Sequence, residues 1–191
     1  MSVANKPAAY GLKPVEYLSG VPYSGASRRY YKNQTSNAMF PGDPVIAAGG
    51  ADVGGYPYAD LPTVGNHAWR GVMLGIELMI PDAFATVSYA AAVKGYLRVV
   101  DDPHLVYSMQ ESAATDAVAI QLSDVENGKL DFLAGAGSAT SGLSGWTINS
   151  TTSTSQSGTG YQVVIKQSDP NPNNVVPGAN ARWYVLNANY A

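Results

Sequence analysis

Eight short runs of this chain are rich in Val, Ile, Tyr, Leu and Met, and turn residues stand between them. The runs are Arg28–Lys32, Pro44–Ala48, Gly71–Ile80, Thr86–Tyr89, Tyr96–Val100, Leu105–Gln110, Tyr161–Lys166 and Arg182–Asn189. The punctuation is Pro41-Gly42-Asp43, Gly49-Gly50, Gly54-Gly55, Pro81-Asp82, Asp101-Asp102-Pro103 and Pro177-Gly178. Short extended runs between Gly and Pro turns leave little room for helices and predict an all-β sandwich or barrel. One stretch, Ser112–Val125, reads as a short helix with Ala113, Ala117 and Ile120 on one face and Asp116 as its N-cap. At 191 residues the chain fits one domain with a sizeable core.

The segment Tyr10–Tyr31, YGLKPVEYLSGVPYSGASRRYY, resists both helix and independent folding. Pro14 and Pro22 remove amide donors and bias Lys13 and Val21 toward extended backbone. It lacks the basic start and apolar run of a signal peptide. Extended, about 20 residues reach roughly 65–70 Å, whereas a compact chain of this length has a radius of gyration of about 16 Å. Its five tyrosines must therefore find cover on its own body, on a sister subunit or on another partner. Residues 1–27 are read as an extended N-terminal arm and residues 28–191 as a single β domain.

Within that domain, Tyr96–Gln110 has the form of two alternating strands around Asp101-Asp102-Pro103. Either the arms pair directly or Pro103 passes the chain to another sheet. Residues 135–160 are nearly all Gly, Ser, Thr, Ala and Asn, with Leu143, Trp146 and Ile148 to bury. They read as a flexible excursion between two edge strands, near Gly145–Asn149 and Gly160–Ile165.

Charge is sparse: 13% of residues are charged, against about 25% in typical soluble domains. The net charge is −3 and the eleven Lys and Arg are scattered, which argues against nucleic acid as a partner. No run of about 18 apolar residues predicts a membrane span. With no cysteine, disulfides and thiolate chemistry are excluded. A low-charge surface carrying thirteen tyrosines is weakly defended against association.

Catalytic signatures are scarce in this sequence. His67 and His104 sit in turn-like contexts, and no nucleophile elbow, phosphate loop or H-x-x-x-H spacing occurs. Gly135–Thr140, GAGSAT, is only half of a dinucleotide fingerprint. Asp101 and Asp102 are adjacent, so on a strand they would point to opposite faces; turn chemistry suits them better. Calcium at Asp101, Asp102 and Glu111 is a weaker reading. The expectation is no catalytic residue, no cofactor and no metal.

Four motifs together carry a resemblance: GLKPVEYLSGVPYSGASRRYY at Gly11–Tyr31, GDPV at Gly42–Val45, RVVDDPHLVYSMQE at Arg98–Glu111 and GANARWYVLNANY at Gly178–Tyr190. With this order and spacing, the chain resembles the cement (decoration) proteins of tailed-bacteriophage heads, nearly end to end. The resemblance implies a jelly-roll-like β-sandwich or barrel with an extended N-terminal arm and at most one short helix. It implies a homo-oligomer, dimer or trimer, made in the host cytoplasm and bound outside the virion head, where it bridges major capsid subunits. The residues expected at its interface are Leu12, Pro14, Tyr17, Tyr23, Tyr30 and Tyr31 as packing groups and Arg28 and Arg29 as polar anchors. A second reading is a carbohydrate-binding or adhesive module, with Trp146 as the stacking ring. A third is a glycoside-cleaving enzyme using Asp101 or Glu111.

Overall fold

A computed structural model describes residues 5–33, 37–64, 69–77, 93–152 and 161–188. The chain is mostly β, as expected. Its strands are Lys13–Tyr17 (β1), Arg28–Lys32 (β2), Pro44–Ala51 (β3), Pro57–Asp60 (β4), Gly71–Glu77 (β5), Gly95–Val100 (β6), Leu105–Gln110 (β7), Lys129–Leu130 (β8), Phe132–Leu133 (β9), Thr147–Ile148 (β10), Val163–Ser168 (β11) and Arg182–Asn187 (β12). They build two bodies. Strands β2-β4-β3-β5-β6 close into a barrel, and β1-β7-β12-β11-β8 form an antiparallel sheet. A two-stranded β9-β10 ribbon is a separate ladder that meets the end of β7, where the Ser112 amide donates to the Ile148 carbonyl. The expected strand Thr86–Tyr89 lies outside the described residues.

The two arms around Asp101-Asp102-Pro103 do not pair. β6 bonds to β2 and β5 in the barrel, and β7 bonds to β1 and β12 in the sheet. The turn carries the chain from one body to the other, its bend held by the His104 amide donating to Asp102 Oδ1 at 2.8 Å. Each body has its own interior. The barrel buries Tyr30, Met39, Val45, Ala59, Met73, Leu97 and Val99. A larger core, with Trp69, Tyr107, Phe132, Trp146 and Trp183, fills the space between the sheet and the outside of the barrel. Trp69 lies at its centre, with ring centroids 5.6 Å from Tyr107 and 5.4 Å from Phe132.

Strand β7 is buried at all six positions. Leu105, Tyr107 and Met109 face the large core. The opposite side is covered by the N-terminal segment, whose described residues lie on their own subunit. Asn5 is held by Val175 and Ala179. The Ala8 amide donates to Gln110 Oε1, and Gln110 Nε2 donates to the Lys6 and Asn180 carbonyls. Tyr10 and Ser108 share a hydroxyl–hydroxyl bond of 2.8 Å. The segment then becomes edge strand β1, and the chain folds back so that the Tyr23 amide donates to the Val15 carbonyl.

Between cover and edge strand, the segment crosses the start of the barrel. The Leu12 amide donates to the Gly42 carbonyl at 2.9 Å, and the Gly42 amide to that of Met73 at 2.8 Å. Gly11 and Gly42 both have positive φ, 71° and 94°. A Cβ on Gly11 would collide with the Gly42 carbonyl. The first glycine of the GDPV motif therefore permits a backbone crossing that joins the two bodies.

Two expectations are corrected. Ser112–Val125 is not a helix but two single 3₁₀ turns, Asp116–Val118 and Leu122–Asp124, separated by extended backbone at Ala119. The Ile120 amide donates to Glu111 Oε2 at 2.7 Å instead of to a helical carbonyl. Asp116 caps no helix; its carboxylate accepts the Ala179 amide. The expected edge strand near Gly160–Ile165 is also not at an edge. β10 pairs with β9, while β11 lies between β12 and β8. Residues 153–160 lie outside the described residues.

Gly11→Ala should destabilise the protein by about 2 kcal/mol or more, from both the left-handed backbone and the collision. Urea unfolding checks this; an unchanged midpoint would show that the crossing is not needed.

Candidate functional site

The outer face of the barrel gathers the chain's most distinctive surface chemistry. Alternation along β2 sends Tyr30 and Lys32 inward and leaves Arg29 and Tyr31 outward. Lys32 is 1% exposed, and its ammonium donates to the Val93 carbonyl at 2.9 Å. On β6, Leu97 and Val99 point in while Tyr96 and Arg98 point out. The β2–β6 register places Tyr31 opposite Tyr96 and Arg29 opposite Arg98. Tyr58 of β4 joins from the other side of β2, and the turn before β4 brings in Tyr56.

The rings hold one another. Tyr31 lies 5.1 Å from Tyr96 and 6.1 Å from Tyr58, centroid to centroid. Tyr56 meets Tyr96 edge-on at 5.5 Å and 81°. The Arg29 guanidinium sits 4.9 Å from the Tyr56 centroid and 5.2 Å from that of Tyr96, within cation–π range of both. Two arginines directly across a ladder would repel. Glu77 of β5 lies between them, pairing with Arg29 and, at 3.3 Å, with Arg98. Hydrogen bonding to Arg29 holds the Glu77 carboxyl below its usual range.

Asp52 organises the adjoining turn. Its Oδ1 accepts the Gly54 and Tyr56 amides, and its Oδ2 accepts the Tyr96 hydroxyl at 2.6 Å. That phenol bond lowers the Asp52 pKa and raises that of Tyr96. Val53 stands fully exposed at the tip of the turn. The result is a surface of four tyrosines, internally paired charges and an apolar tip, all fixed by ring contacts, hydrogen bonds and strand register.

The expected interface residues divide. Arg29 and Tyr31 belong to this face. Leu12, at 2% exposure, and Tyr30, at 5%, do not: they are core residues of their own subunit and cannot pack on a partner. Tyr30 also donates its hydroxyl to Asp101 at 2.9 Å, and burial followed by that bond pushes its pKa up to about 12. Arg28 is exposed beside the same Asp101, at 3.1 Å. Tyr17 and Tyr23 pack against each other and the large core, 6.5 Å apart. Pro14 lines a trough on the far side of the barrel–sheet junction. The other members of the face, Asp52, Tyr56, Tyr58, Glu77, Tyr96 and Arg98, were not singled out from sequence. The alternation of Tyr96 and Arg98 is visible there, but their meeting with Arg29 depends on register.

The groups considered for other chemistry sit elsewhere. Trp146 is 4% exposed and meets Phe132 edge-on at 6.0 Å, so it offers no ring to a sugar. Among the described residues no three His, Asp or Glu side chains come together as a metal-ligand set. His104 is exposed beside Asp102, and His67 lies outside the described residues. Asp101 is engaged by Arg28 and Tyr30. Glu111 is 1% exposed, accepting the Ile120 amide and, at 3.4 Å, the Trp183 indole N–H. Burial pushes the Glu111 pKa up to about 7 against the opposing pull of those bonds, and burial likewise pushes Asp43 up to about 6. These are core acids, not a pair flanking a cleft.

No family model, no curated protein and no solved structure matches the chain.

The two buried acids make stability depend on pH with a definite sign. Each folded pKa lies above the ordinary carboxylate value, so the folded state holds the proton more tightly. Their contribution is complete below about pH 4 and lost as pH rises through 6 and 7. The thermal midpoint should fall between pH 5.5 and 8, and Glu111→Gln should flatten that fall. A midpoint that rises over this window would contradict the assignment.

Proposed function

We propose that the chain is a structural virion protein: a homo-oligomeric cement protein that binds the outside of a tailed-phage head and bridges major capsid subunits. The observation that carries the reading is the outer barrel face of Arg29, Tyr31, Tyr56, Tyr58 and Tyr96, taken with the four-motif resemblance. Tyr and Arg are enriched among the residues that dominate the energetics of protein interfaces: Tyr buries a large ring with two side-chain torsions, and Arg brings a planar fork of donors that also stacks on rings. Here the rings are already immobilised by one another, so docking costs little further side-chain entropy. In the Arg29–Glu77–Arg98 group each guanidinium already touches the Glu77 carboxylate, which leaves one net positive charge and lowers the cost that isolated charges carry in an interface core.

Oligomerisation would multiply modest contacts. An oligomer that touches several capsomers at once gains about 10²–10⁴ in avidity over one contact, provided its geometry allows simultaneous engagement. Cement action then follows from bridging: each bound oligomer opposes separation of the subunits beneath it, and the shell resists the pressure of packaged DNA.

The test uses point variants, since deleting residues 1–27 would remove β1 and the cover of β7 from the sheet. Tyr31→Ala and Arg29→Ala, alone and together, should weaken co-sedimentation with undecorated heads by about tenfold or more. Their far-ultraviolet circular dichroism should stay unchanged. Wild-type binding by the double variant would remove this face from the interface, and no binding by the wild-type protein would end the cement reading.

A further inference from the structure

A second surface carries chemistry that the barrel face does not use. Where β1, β7 and β12 meet the start of the barrel, a trough of about 800 Å³ is walled by Pro14, Leu74 and Leu143. A smaller polar cavity of about 380 Å³ shares Asn171 and Arg182 with it. Arg182 thus stands at the junction of the two. Its guanidinium lies 5.3 Å from the Tyr10 ring centroid. Among the described residues that guanidinium makes no hydrogen bond and no ion pair, although the residue is only partly exposed.

Asp169 lines the same trough but is committed elsewhere: its Oδ2 accepts the Ser108 hydroxyl at 2.9 Å and its Oδ1 the Asn171 amide at 3.0 Å. A guanidinium presents five N–H donors in a planar fork that matches a carboxylate. Lys13 at the mouth adds a second positive charge with no ion pair among the described residues. Two cations, Lys13 and Arg182, against one carboxylate, Asp169, suit a single negative charge and not a polyanion such as a nucleic-acid backbone, and the apolar walls have nothing to offer a free inorganic anion.

We infer that this trough receives an extended, largely apolar peptide segment of a partner protein, whose single carboxylate pairs with Arg182 while its neighbouring side chains fill the apolar walls. The carboxylate is that of an acidic side chain within the segment. The inference goes beyond the cement reading and does not depend on it, because the trough and the barrel face share no residue.

The test is a nuclear magnetic resonance titration of the full ¹⁵N-labelled chain with four probes. These are the acetylated, amidated peptide Leu-Glu-Pro-Leu, its Gln counterpart, the Gln peptide with a free carboxy terminus, and inorganic phosphate alone. The Glu peptide should saturably shift the Arg182 Nε–H and the Leu12 and Asn171 amides. The amidated Gln peptide should bind about tenfold more weakly, as expected for loss of one charge-assisted pair. The Gln peptide with a free terminus should bind as weakly as its amidated form, and full recovery by it would overturn the assignment to an acidic side chain. Arg182→Gln should reduce the Glu peptide to the level of the Gln peptide, and Arg182→Lys should retain part of the difference. The wild-type comparison stands even if either variant misfolds. Equal affinity for the amidated Glu and Gln peptides, no saturable shift at Arg182, or an equal response to phosphate alone would overturn the inference.

Discussion

Burial of both faces of β7 is the constraint on which the rest of the structure depends. A strand with six buried positions needs two covers, and this chain supplies them from different places. One is the large aromatic core between sheet and barrel. The other is the N-terminal segment, which meets Gln110 through Ala8 and Lys6 and Ser108 through Tyr10, while Asn180 and Asp169 complete the bonds of the same two side chains. Buried polar groups left without those partners would each cost about 1–3 kcal/mol. The segment that looked free in sequence is therefore a structural strap, and its crossing at Gly11 and Gly42 ties the sheet to the barrel.

Division into two bodies leaves surfaces of different character. The barrel turns its alternating tyrosines and arginines outward on β2 and β6, where neighbouring strands lock them into one array. At the junction, the strap and β12 enclose a trough with a guanidinium at its end. Both surfaces arise where strand register brings together residues distant in sequence.

The legible and illegible parts of the fold divide on physical grounds. Arg28–Lys32 and Leu105–Gln110 were read with the bounds the strands have, because both are β-rich runs flanked by turn chemistry. β1 was hidden by Pro14, which breaks any strand signature and is tolerated because β1 is an edge strand of its sheet with an irregular register around it. β4 begins at Pro57 and is four residues long, and β8, β9 and β10 are two residues each, too short to show a period. The apparent helix at 112–125 failed because the buried Glu111 carboxylate takes the Ile120 amide, a long-range demand that local propensity does not contain. For the candidate site, Arg29 and Tyr31 were legible as unburied groups. Alternation then sent Tyr30 and Lys32 into the barrel, and Tyr56, Tyr58 and Tyr96 joined only through pairing that no single run encodes.

The central claim is that the tyrosine–arginine face of the barrel binds a capsid shell. The most direct measurement is electron cryomicroscopy of undecorated tailed-phage heads incubated with the purified protein. The account predicts regular external density in which the strands bearing Arg29, Tyr31 and Tyr96 face the shell. A featureless shell with the protein left in solution would contradict it, as would density that docks through the opposite side of the barrel.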